Sequence, residues 1–372
     1  MILLNDFRRQ WRVIGADILR STEKVGASGW YVLGHEVRCF EANLAHYWSV
    51  NEVVGVANGL DALEISLRVL GCKDGDRVLT SPISAFATVM AILRIGAVPI
   101  LLDSDDFGLL DLDACRQFLK RRHDVRFLVP VHLYGHALDS AALTVLRDEF
   151  GLSIVEDCAQ SIGAKFHGKL TGKVGQLSAT SFYPTKNLGG LGDGGGVLTD
   201  SIEAANQARI LRDYGQKQKY HHALLGYNSR LDELQAAYLG QVFLPRLDEW
   251  IARRRHAAHR YSTEISNRNI HCVGSPPGSD SSWHLFPIIV EPELKPSFIS
   301  HLHNERIQTG EHYPLALVEQ EALARSKMEL ASDCHNAIRF CHSEVSLPIH
   351  PFLNDDEISA VVAGCNSWRP PC

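Results

Sequence analysis

The sequence predicts an α/β protein whose large domain is built on a mostly parallel sheet covered by helices. Short apolar runs bounded by Gly, Pro and Asp recur through the first part of the chain, and helical stretches separate them. This alternation stops near residue 245. Strands that alternate with helices are typical of parallel sheets, whose ligands bind at the carboxyl ends of the strands. We therefore expect a large α/β domain at 1–245 and a smaller C-terminal α+β domain at 246–372.

Each predicted strand is a short apolar run that ends at a small or polar residue. The predicted strands lie at 53–56, 77–80, 98–102, 126–133, 152–156, 179–182 and 195–199. The predicted helices between them lie at 59–69, 85–95, 112–120, 140–150 and 202–214. Beyond these, the sequence predicts a long helix at 234–265, a loop at 274–282, a strand at 283–290 and a helix at 295–309.

Composition and charge exclude several classes of protein. The chain has 372 residues, of which 45% are hydrophobic and 22% charged, and its formal net charge is -6. A general nucleic-acid binder needs an excess of basic residues, so we expect no nucleic-acid partner. The nine cysteines are never spaced C-x-x-C, and no apolar run is long enough for a membrane span or a signal peptide. We expect a soluble cytoplasmic protein without a membrane partner.

A lysine follows the predicted strand at 179–182, within the run Ser-Phe-Tyr-Pro-Thr-Lys-Asn at 181–187. Lys186 is therefore expected at the ligand-binding edge of the sheet. A pyridoxal phosphate (PLP) enzyme needs such a lysine, because a desolvated amine forms a Schiff base with the cofactor. Ser181 is placed to hold the phosphate, and the glycines at 189–196 let the backbone pass close to the cofactor. A solvent-exposed loop lysine is the alternative.

Two further segments favour the PLP hypothesis. Asp157 follows the predicted strand at 152–156, and an Asp against the pyridine nitrogen keeps that nitrogen protonated, which makes the ring an electron sink. Gln160 is then placed to touch the ring hydroxyl. Gly59 and Leu60 open a helix after another strand, where free backbone N–H groups suit a phosphate. Taken singly, these segments are equally typical of a strand-end turn and a helix cap.

Other patterns are weaker candidates. The run Gly190-x-Gly192-x-x-Gly195 matches the dinucleotide fingerprint, but it precedes an apolar strand rather than a helix. Cys334-His335 and Cys341-His342 lack the close spacing of a zinc site, so no metal is expected. The basic cluster at 253–255 is typical of a solvated helix face. For Trp30 and Tyr31 the sequence leaves two roles open, which are packing in the core and lining a substrate cleft.

These motifs occur together and in this order in one family. The chain resembles the DegT-type PLP-dependent sugar aminotransferases of fold type I, and the resemblance extends over nearly its whole length. The run Tyr-Pro-Thr-Lys-Asn at 183–187 is the most specific motif. The matching segments lie at 28–34, 58–63, 130–135, 156–160, 181–188, 192–195, 228–232, 312–314 and 346–348.

The resemblance implies a role for each matching position. Lys186 matches the Schiff-base lysine, which also moves a proton between substrate and cofactor. Asp157 matches the partner of the pyridine nitrogen, and Gln160 the residue beside the ring hydroxyl. Asn228 matches a residue that reaches the phosphate from the neighbouring subunit, which implies a homodimer with shared active sites. The remaining implied contacts are Gly59, the Leu60 backbone and Ser181 with the phosphate, and Tyr214, Lys219, Arg230, His312 and Tyr313 with the sugar nucleotide.

Two positions depart from the family pattern. Many members have Thr or Ser where Leu60 stands, so only the backbone amide remains here for the phosphate. Leu at this position is similar to the branch that acts on 3-keto sugars. The usual ring-stacking aromatic is replaced by Ala85, with Phe86 one residue later. Either Phe86 or another side chain covers the cofactor, or that face of the ring is more loosely packed.

The resemblance implies an aminotransferase that works in two half-reactions. An amino acid, glutamate by analogy, gives its amino group to the cofactor, and a nucleotide-linked keto-deoxysugar receives it in amino-sugar biosynthesis. We expect a dTDP-linked sugar and reaction at C3. Transfer at C4, as in perosamine-type enzymes, is the enzymatic alternative, and a PLP- or sugar-binding regulator without turnover is the other. Lys186 argues against the related dehydratases, which have His at this position.

Overall fold

The computed structural model of the protein describes residues 1–371. Its helices are α1 (Phe7–Ser28), α2 (His35–Trp48), α3 (Gly59–Val69), α4 (Phe86–Arg94), α5 (Leu112–Leu119), α6 (Ser140–Phe150), α7 (Ile202–Arg212), α8 (Glu233–Tyr238), α9 (Leu247–Glu264), α10 (Lys295–Asn304), α11 (His335–Ser343) and α12 (Asp355–Ser367). Its strands are β1 (Glu52–Val56), β2 (Arg77–Thr80), β3 (Val98–Leu101), β4 (Val125–Val129), β5 (Ser153–Asp157), β6 (Lys165–Phe166), β7 (Lys169–Leu170), β8 (Leu177–Ser181), β9 (Gly195–Thr199), β10 (Gln216–Gln218), β11 (His221–His222), β12 (His271–Cys272), β13 (Ser279–Asp280), β14 (Phe286–Ile289), β15 (Glu329–Leu330) and β16 (Glu344–Leu347).

The main sheet has eight strands in the order β1-β9-β8-β5-β4-β2-β3-β15. The neighbours from β8 to β15 are parallel, whereas β9 runs antiparallel to both β1 and β8. The central strands are buried along nearly their full length, because helices cover both faces. The predicted mostly parallel α/β sheet is therefore confirmed.

Several predicted elements have the bounds that the sequence suggested. The helices at 59–69 and 140–150 and the strand at 195–199 match α3, α6 and β9 residue for residue. The strand predicted at 126–133 ends instead at Val129, because Pro130 has no N–H group for the ladder. The helix predicted at 295–309 ends at Asn304, shortly before Arg306 adopts a left-handed backbone with φ of 61°.

The long helix predicted at 234–265 is wrong as a single element. It is divided into α8, a wide turn at Leu239–Phe243, a tight turn at Leu244–Arg246 and α9. Pro245 lies in the tight turn, and a proline inside a helix removes one backbone hydrogen bond and clashes with the preceding turn. The basic cluster at 253–255 is also not a fully solvated face, because Arg254 is only 4% exposed.

The C-terminal part of the chain forms its own small sheet and also returns to the large one. Strands β12, β14 and β16 form an antiparallel sheet that packs with α10, α12 and the end of α9 around a separate apolar core. Strand β15 adds to the edge of the main sheet beside β3. The start of α9 packs in a core of the large unit and its end in the small one. The division at residue 245 stays a prediction.

None of the helices in the described part of the chain, residues 1–371, combines the length and the apolar character needed to span a lipid bilayer.

Candidate active site

The centre of the site is the pair Lys186 and Asp157, which come from two neighbouring strands of the main sheet. Asp157 is the last residue of β5, and Lys186 lies in the turn that follows β8. Desolvation lowers the pKa of Lys186 to about 8, and the negative charge of Asp157 opposes that shift. The two groups are therefore close enough to interact electrostatically. A lysine with this pKa has a large neutral fraction near pH 8 and is a competent nucleophile.

Asp157 is held by two hydrogen bonds. Its Oδ2 accepts from the Thr88 hydroxyl at 2.8 Å, and its Oδ1 accepts from the backbone N–H of Ala159 at 3.1 Å. The Thr88 hydroxyl lies 2.7 Å from that of Ser84. Burial raises the pKa of Asp157 despite these bonds. A buried carboxylate of this kind is stabilised in its ionised form by a cation, and a protonated pyridine nitrogen supplies one.

Gln160 is oriented by the backbone of a neighbouring loop. Its Oε1 accepts from the N–H of Tyr134 at 2.7 Å, and its Nε2 donates to the Tyr313 hydroxyl at 3.2 Å. The amide nitrogen therefore faces the pocket side that carries Tyr313. The Tyr134 hydroxyl donates to the backbone carbonyl of His312, so the same loop also fixes the segment at 312–313.

The start of α3 lies directly against Ser181. A Cβ atom on Gly59 would be 2.8 Å from the Cβ of Ser181, closer than two carbon atoms pack, so only glycine fits here. Asn58 caps the helix by accepting from the N–H of Asp61 at 2.8 Å. The amides of Gly59 and Leu60 belong to the first helical turn and point away from the helix body. Backbone donors, a helix N-terminus and the Ser181 hydroxyl together form a cradle that suits a phosphate.

A buried hydrogen-bond network holds the loops around Asp157. Glu156 accepts from His132 Nε2 at 2.9 Å and from the N–H groups of Gly172, Val174 and Gly175 at 3.0, 2.7 and 2.6 Å. His132 Nδ1 accepts from the N–H of Leu138 at 3.0 Å, so the proton of the ring lies on Nε2. These contacts lower the pKa of Glu156.

A second group of predicted site residues lies on the hairpin of β10 and β11 and the segment after it. Arg230 pairs with Asp213 at 2.9 Å, and its guanidinium lies 5.2 Å from the centre of the Tyr214 ring. Asn228 is exposed, and its backbone forms an isolated antiparallel β-bridge with Asp213. Lys219 is also exposed, and its amine lies over the ring of Tyr220. No hydrogen bond or ion pair among residues 1–371 joins this group to Lys186 within the chain.

Sequence reasoning missed three residues of the site. Thr88 was not predicted as a site residue, although its hydroxyl donates to Asp157. Tyr134 was matched only within its motif, and its left-handed backbone at φ 61° turns its N–H toward Gln160. His284 follows the predicted loop at 274–282, and the charges of Lys186, Arg254 and His312 and its own burial lower its pKa well below the usual value.

The structure decides some of the open alternatives. Trp30 and Tyr31 are 61% and 55% exposed, so core packing is excluded for them. Phe86 is half-buried and packs against the core beside α5 and α6, and Ala85 caps α4. The run 190–195 leads into β9 rather than a helix, which contradicts a dinucleotide site. Cys334 and Cys341 are buried thiols, while His335 and His342 pair with Asp333 and Glu319.

The residues present fit PLP. Asp157 and Lys186 lie within electrostatic range of each other, and Gly59 at the start of α3 lies against Ser181 at the end of β8. A ring cation beside Asp157 would offset the burial that raises the pKa of this carboxyl, and a phosphate beside Ser181 would meet the amides of the first turn of α3. The fold and this pocket define a PLP-dependent aminotransferase of fold type I.

The comparisons with known proteins specify the family. The model of the DegT/DnrJ/EryC1/StrS aminotransferase family matches residues 12–366, so the chain belongs to this family. It is 39% identical over 361 residues to the erythromycin biosynthesis sensory transduction protein EryC1 of Saccharopolyspora erythraea, covering 96% of this chain and 97% of that protein. It is 38% identical over 367 residues to dTDP-3-amino-3,4,6-trideoxy-alpha-D-glucose transaminase of Streptomyces venezuelae, covering 98% and 95%.

A solved structure extends this similarity to three dimensions. The crystal structure of DesV from S. venezuelae superposes with a TM-score of 0.93 at 37% identity, over 99% of this chain and 98% of that one. The enzyme class and the cofactor PLP predicted from the sequence are thereby confirmed. The roles of the individual site residues stay predictions.

Proposed function

We propose that the protein transfers an amino group from glutamate to the C3 keto group of a dTDP-linked keto-deoxysugar in amino-sugar biosynthesis. The observation that carries the proposal is the buried pair of Lys186 and Asp157, which interact electrostatically, with the pKa of Lys186 lowered to about 8. The choice of dTDP and C3 is supported by the printed name of the S. venezuelae relative. Glutamate and the cytoplasmic location are parts of the same proposal.

PLP, when bound, supplies a ring that accepts the electron pair released at the substrate carbon. Asp157 would hold the ring nitrogen and keep it protonated, and Gln160 would donate to the ring hydroxyl. The amides of Gly59 and Leu60 and the Ser181 hydroxyl would hold the phosphate. Lys186 would move the proton at the substrate carbon, because its amine is neutral at mildly alkaline pH and lies inside the pocket.

The substrate side of the site is proposed to lie between two segments. His312 and Tyr313 approach from the small unit beside Gln160. Tyr214, Lys219 and Arg230 lie on or beside the exposed hairpin, where cations suit the diphosphate of a sugar nucleotide. The aromatic ring of Tyr214 is 46% exposed and suits a base or a sugar face.

We propose that these two segments meet across a homodimer. Asn228 is exposed and no contact joins it to Lys186 in the same chain, which is expected if it reaches the phosphate of the partner. Large apolar side chains are strongly exposed in the motifs at 28–34 and 181–188 and in the hairpin of β10 and β11 with the residues that follow it, and exposed apolar surfaces mark protein–protein interfaces. They are Trp30 at 61%, Tyr31 at 55%, Tyr183 at 52%, Tyr220 at 80% and Leu225 at 93% exposure.

A substrate panel tests the proposal. The protein is loaded with PLP, treated with glutamate and then mixed with dTDP- and UDP-linked 3-keto and 4-keto sugars, and products are identified by mass spectrometry and NMR. Amination of a dTDP-linked 3-keto sugar is the expected result. Preference for a 4-keto sugar would replace C3 by C4, and preference for UDP would replace the nucleotide.

The regulator without turnover is tested by the same mixture. The printed name of EryC1 is that of a sensory transduction protein, which makes this alternative concrete. A regulator has no need for an electron-sink carboxylate or an amine of lowered pKa, and this chain has both. A protein that binds nucleotide sugar but never converts glutamate to its keto acid would favour the regulator.

A further inference from the structure

A chain of hydrogen bonds in the small unit ends at His312. His312 Nδ1 lies 2.9 Å from the Ser346 hydroxyl, and that hydroxyl donates to Oε1 of Glu344 at 2.5 Å. The other carboxylate oxygen of Glu344 accepts from the backbone N–H of His312 at 2.6 Å. Glu344 and Ser346 are fully buried in β16 and only two residues apart, so both side chains lie on the same face of the strand.

The chemistry of these groups fixes the position of the ring proton. An ionised carboxylate has no proton, so Glu344 accepts from both of its neighbours. The Ser346 hydroxyl has a single proton and donates it to Glu344, so the hydroxyl oxygen must accept a hydrogen bond from His312. Nδ1 of His312 therefore carries the proton, and Nε2 is left with a lone pair. Among residues 1–371 no hydrogen bond reaches that Nε2.

The ring of His312 lies within electrostatic range of Lys186. Burial of the ring, together with the positive charge of Lys186, lowers the pKa of His312 to about 4. His312 is thus neutral in the working range of pH, and Nε2 accepts rather than donates. A ketone whose carbon reaches Lys186 brings the hydroxyl of an adjacent sugar carbon to this side of the pocket.

We propose that Glu344 and Ser346 are positioning residues that hold His312 as the Nδ1-protonated tautomer, so that its Nε2 accepts a hydrogen bond from a sugar hydroxyl beside the reacting carbon. The inference rests on the proposed sugar substrate for its last step only. It gives a role to Ser346, which belongs to the motif at 346–348. The cofactor site by itself gives that motif no role.

The ionisation of Glu344 sets the pH range in which this arrangement holds. Burial raises the pKa of Glu344 to about 7, and the charge of Lys295 favours the ionised form. Above pH 7 the carboxylate accepts as described. Below pH 7 a protonated Glu344 can donate to Ser346, and the chain of bonds reverses. The titratable groups that interact electrostatically with Glu344 or His312 are Lys186, Lys295, Glu311, Tyr134, Tyr313, Cys341 and His284.

Glu344→Gln tests the direction of the chain while keeping its shape. The amide oxygen is needed by the N–H of His312, so the amide nitrogen must face Ser346 and donate to it. Ser346 then donates to Nδ1, and the proton of His312 moves to Nε2. We expect NMR of 15N-histidine-labelled protein at pH 8.5 to find Nδ1–H in the wild type and Nε2–H in Glu344→Gln, with His312→Asn identifying the signal. An Nε2–H tautomer in the wild type would overturn the inference.

Kinetics separates positioning from a merely structural role. Ser346→Ala and Glu344→Gln should lower kcat/KM of the sugar half-reaction about tenfold, the worth of one hydrogen bond, and leave the amino-acid half-reaction within about twofold. Ser343→Ala is the matched control, because it removes a buried hydroxyl at the end of α11 that lies outside this chain of bonds. Equal losses in both half-reactions would contradict the proposal.

A double variant shows whether Ser346 acts through His312. In the His312→Asn background, Ser346→Ala should cause no further loss of kcat/KM in the sugar half-reaction. If Ser346 acted independently of His312, the same substitution would lower kcat/KM by about a further tenfold. Failure of the wild type to aminate any nucleotide sugar overturns the proposed function. A wild type that aminates the sugar and is unaffected by Glu344→Gln overturns the inference.

Discussion

The hydroxyl of Thr88 donates a hydrogen bond of 2.8 Å to Oδ2 of Asp157, joining the first turns of α4 to the end of β5. Thr88 is 1% exposed, so water cannot replace this donor if the hydroxyl is lost. Asp157 then keeps only the N–H of Ala159 as a backbone partner. The residue predicted to interact with the cofactor nitrogen thus depends on a hydroxyl from a different segment.

Thr88→Val should slow transamination without unfolding the protein. Valine has the same shape but no hydroxyl, so the pKa of Asp157 rises further and its ionised form is weakened. We expect a loss of about tenfold in kcat, the cost of one charge-assisted bond. Thr80→Val is the matched control, since Thr80 donates at 2.7 Å to the Val129 carbonyl, away from the site. Equal loss in both variants would argue against the role of Thr88.

Covalent capture of PLP should depend on pH through Lys186. Only the neutral amine attacks the cofactor aldehyde, and the pKa of Lys186 is lowered to about 8. The capture rate of the apoprotein, followed by visible absorbance, should therefore rise from pH 6 to 8 and level off above. Lys186→Ala should abolish the signal, while Lys173→Ala, at a lysine that pairs with Asp200 on the surface, should not change it. A midpoint near the ordinary lysine value would contradict the assignment.

Gly59→Ala should weaken cofactor binding more than it affects folding. Its Cβ would lie 2.8 Å from that of Ser181, so the helix and the strand must separate at the place proposed for the phosphate. We expect the PLP dissociation constant, measured by fluorescence titration, to rise at least about tenfold. Gly26→Ala in α1 is the control, because nothing lies within 4 Å of its added Cβ. Unchanged affinity in Gly59→Ala would place the phosphate elsewhere.

Two inactive variants should restore each other if the active sites are shared. Lys186→Ala and Asn228→Ala are each expected to lose most activity. In a mixed dimer, one site receives both wild-type residues, so random exchange should recover about a quarter of the wild-type sites. The measurement is activity after mixing and subunit exchange, with each variant alone as reference. No recovery, despite mixed dimers seen by mass spectrometry, would locate both residues in one chain's site.

The centre of the fold could be predicted from the sequence, but its N-terminal helices were not. Strand β9 and helices α3 and α6 have clear apolar runs and end signals, so their bounds were predicted exactly as observed. Helix α1 was not predicted, although Asp6 caps its start and Gly29 ends it in a left-handed conformation. Its core residues are widely spaced among polar ones, and their helical periodicity gives a weaker signal than a continuous apolar run.

The site divides in the same way. Lys186, Asp157 and Gln160 follow strands in recognisable motifs, so the edge of a parallel sheet brings them together. Thr88, His284 and Glu344 come from segments far apart in the chain, and no local pattern indicates that they meet. Thr88 meets Asp157 through the packing of α4 beside the end of β5, and His284 and Glu344 are placed by the packing of the small unit on the large sheet. A single sequence does not encode either packing in a short motif.

Strand β15 has a mechanical consequence. Glu329 and Leu330 of β15 pair with β3, which joins the small unit to the edge of the large sheet. Glu329 also forms ion pairs with Arg77 and Arg122. A wide swing of the small unit would have to break the pairing of β15 with β3 and these ion pairs. The small unit is therefore held on the large sheet, and a ligand bound between the two would be selected by the shape of a fixed cleft rather than by closure of the two units.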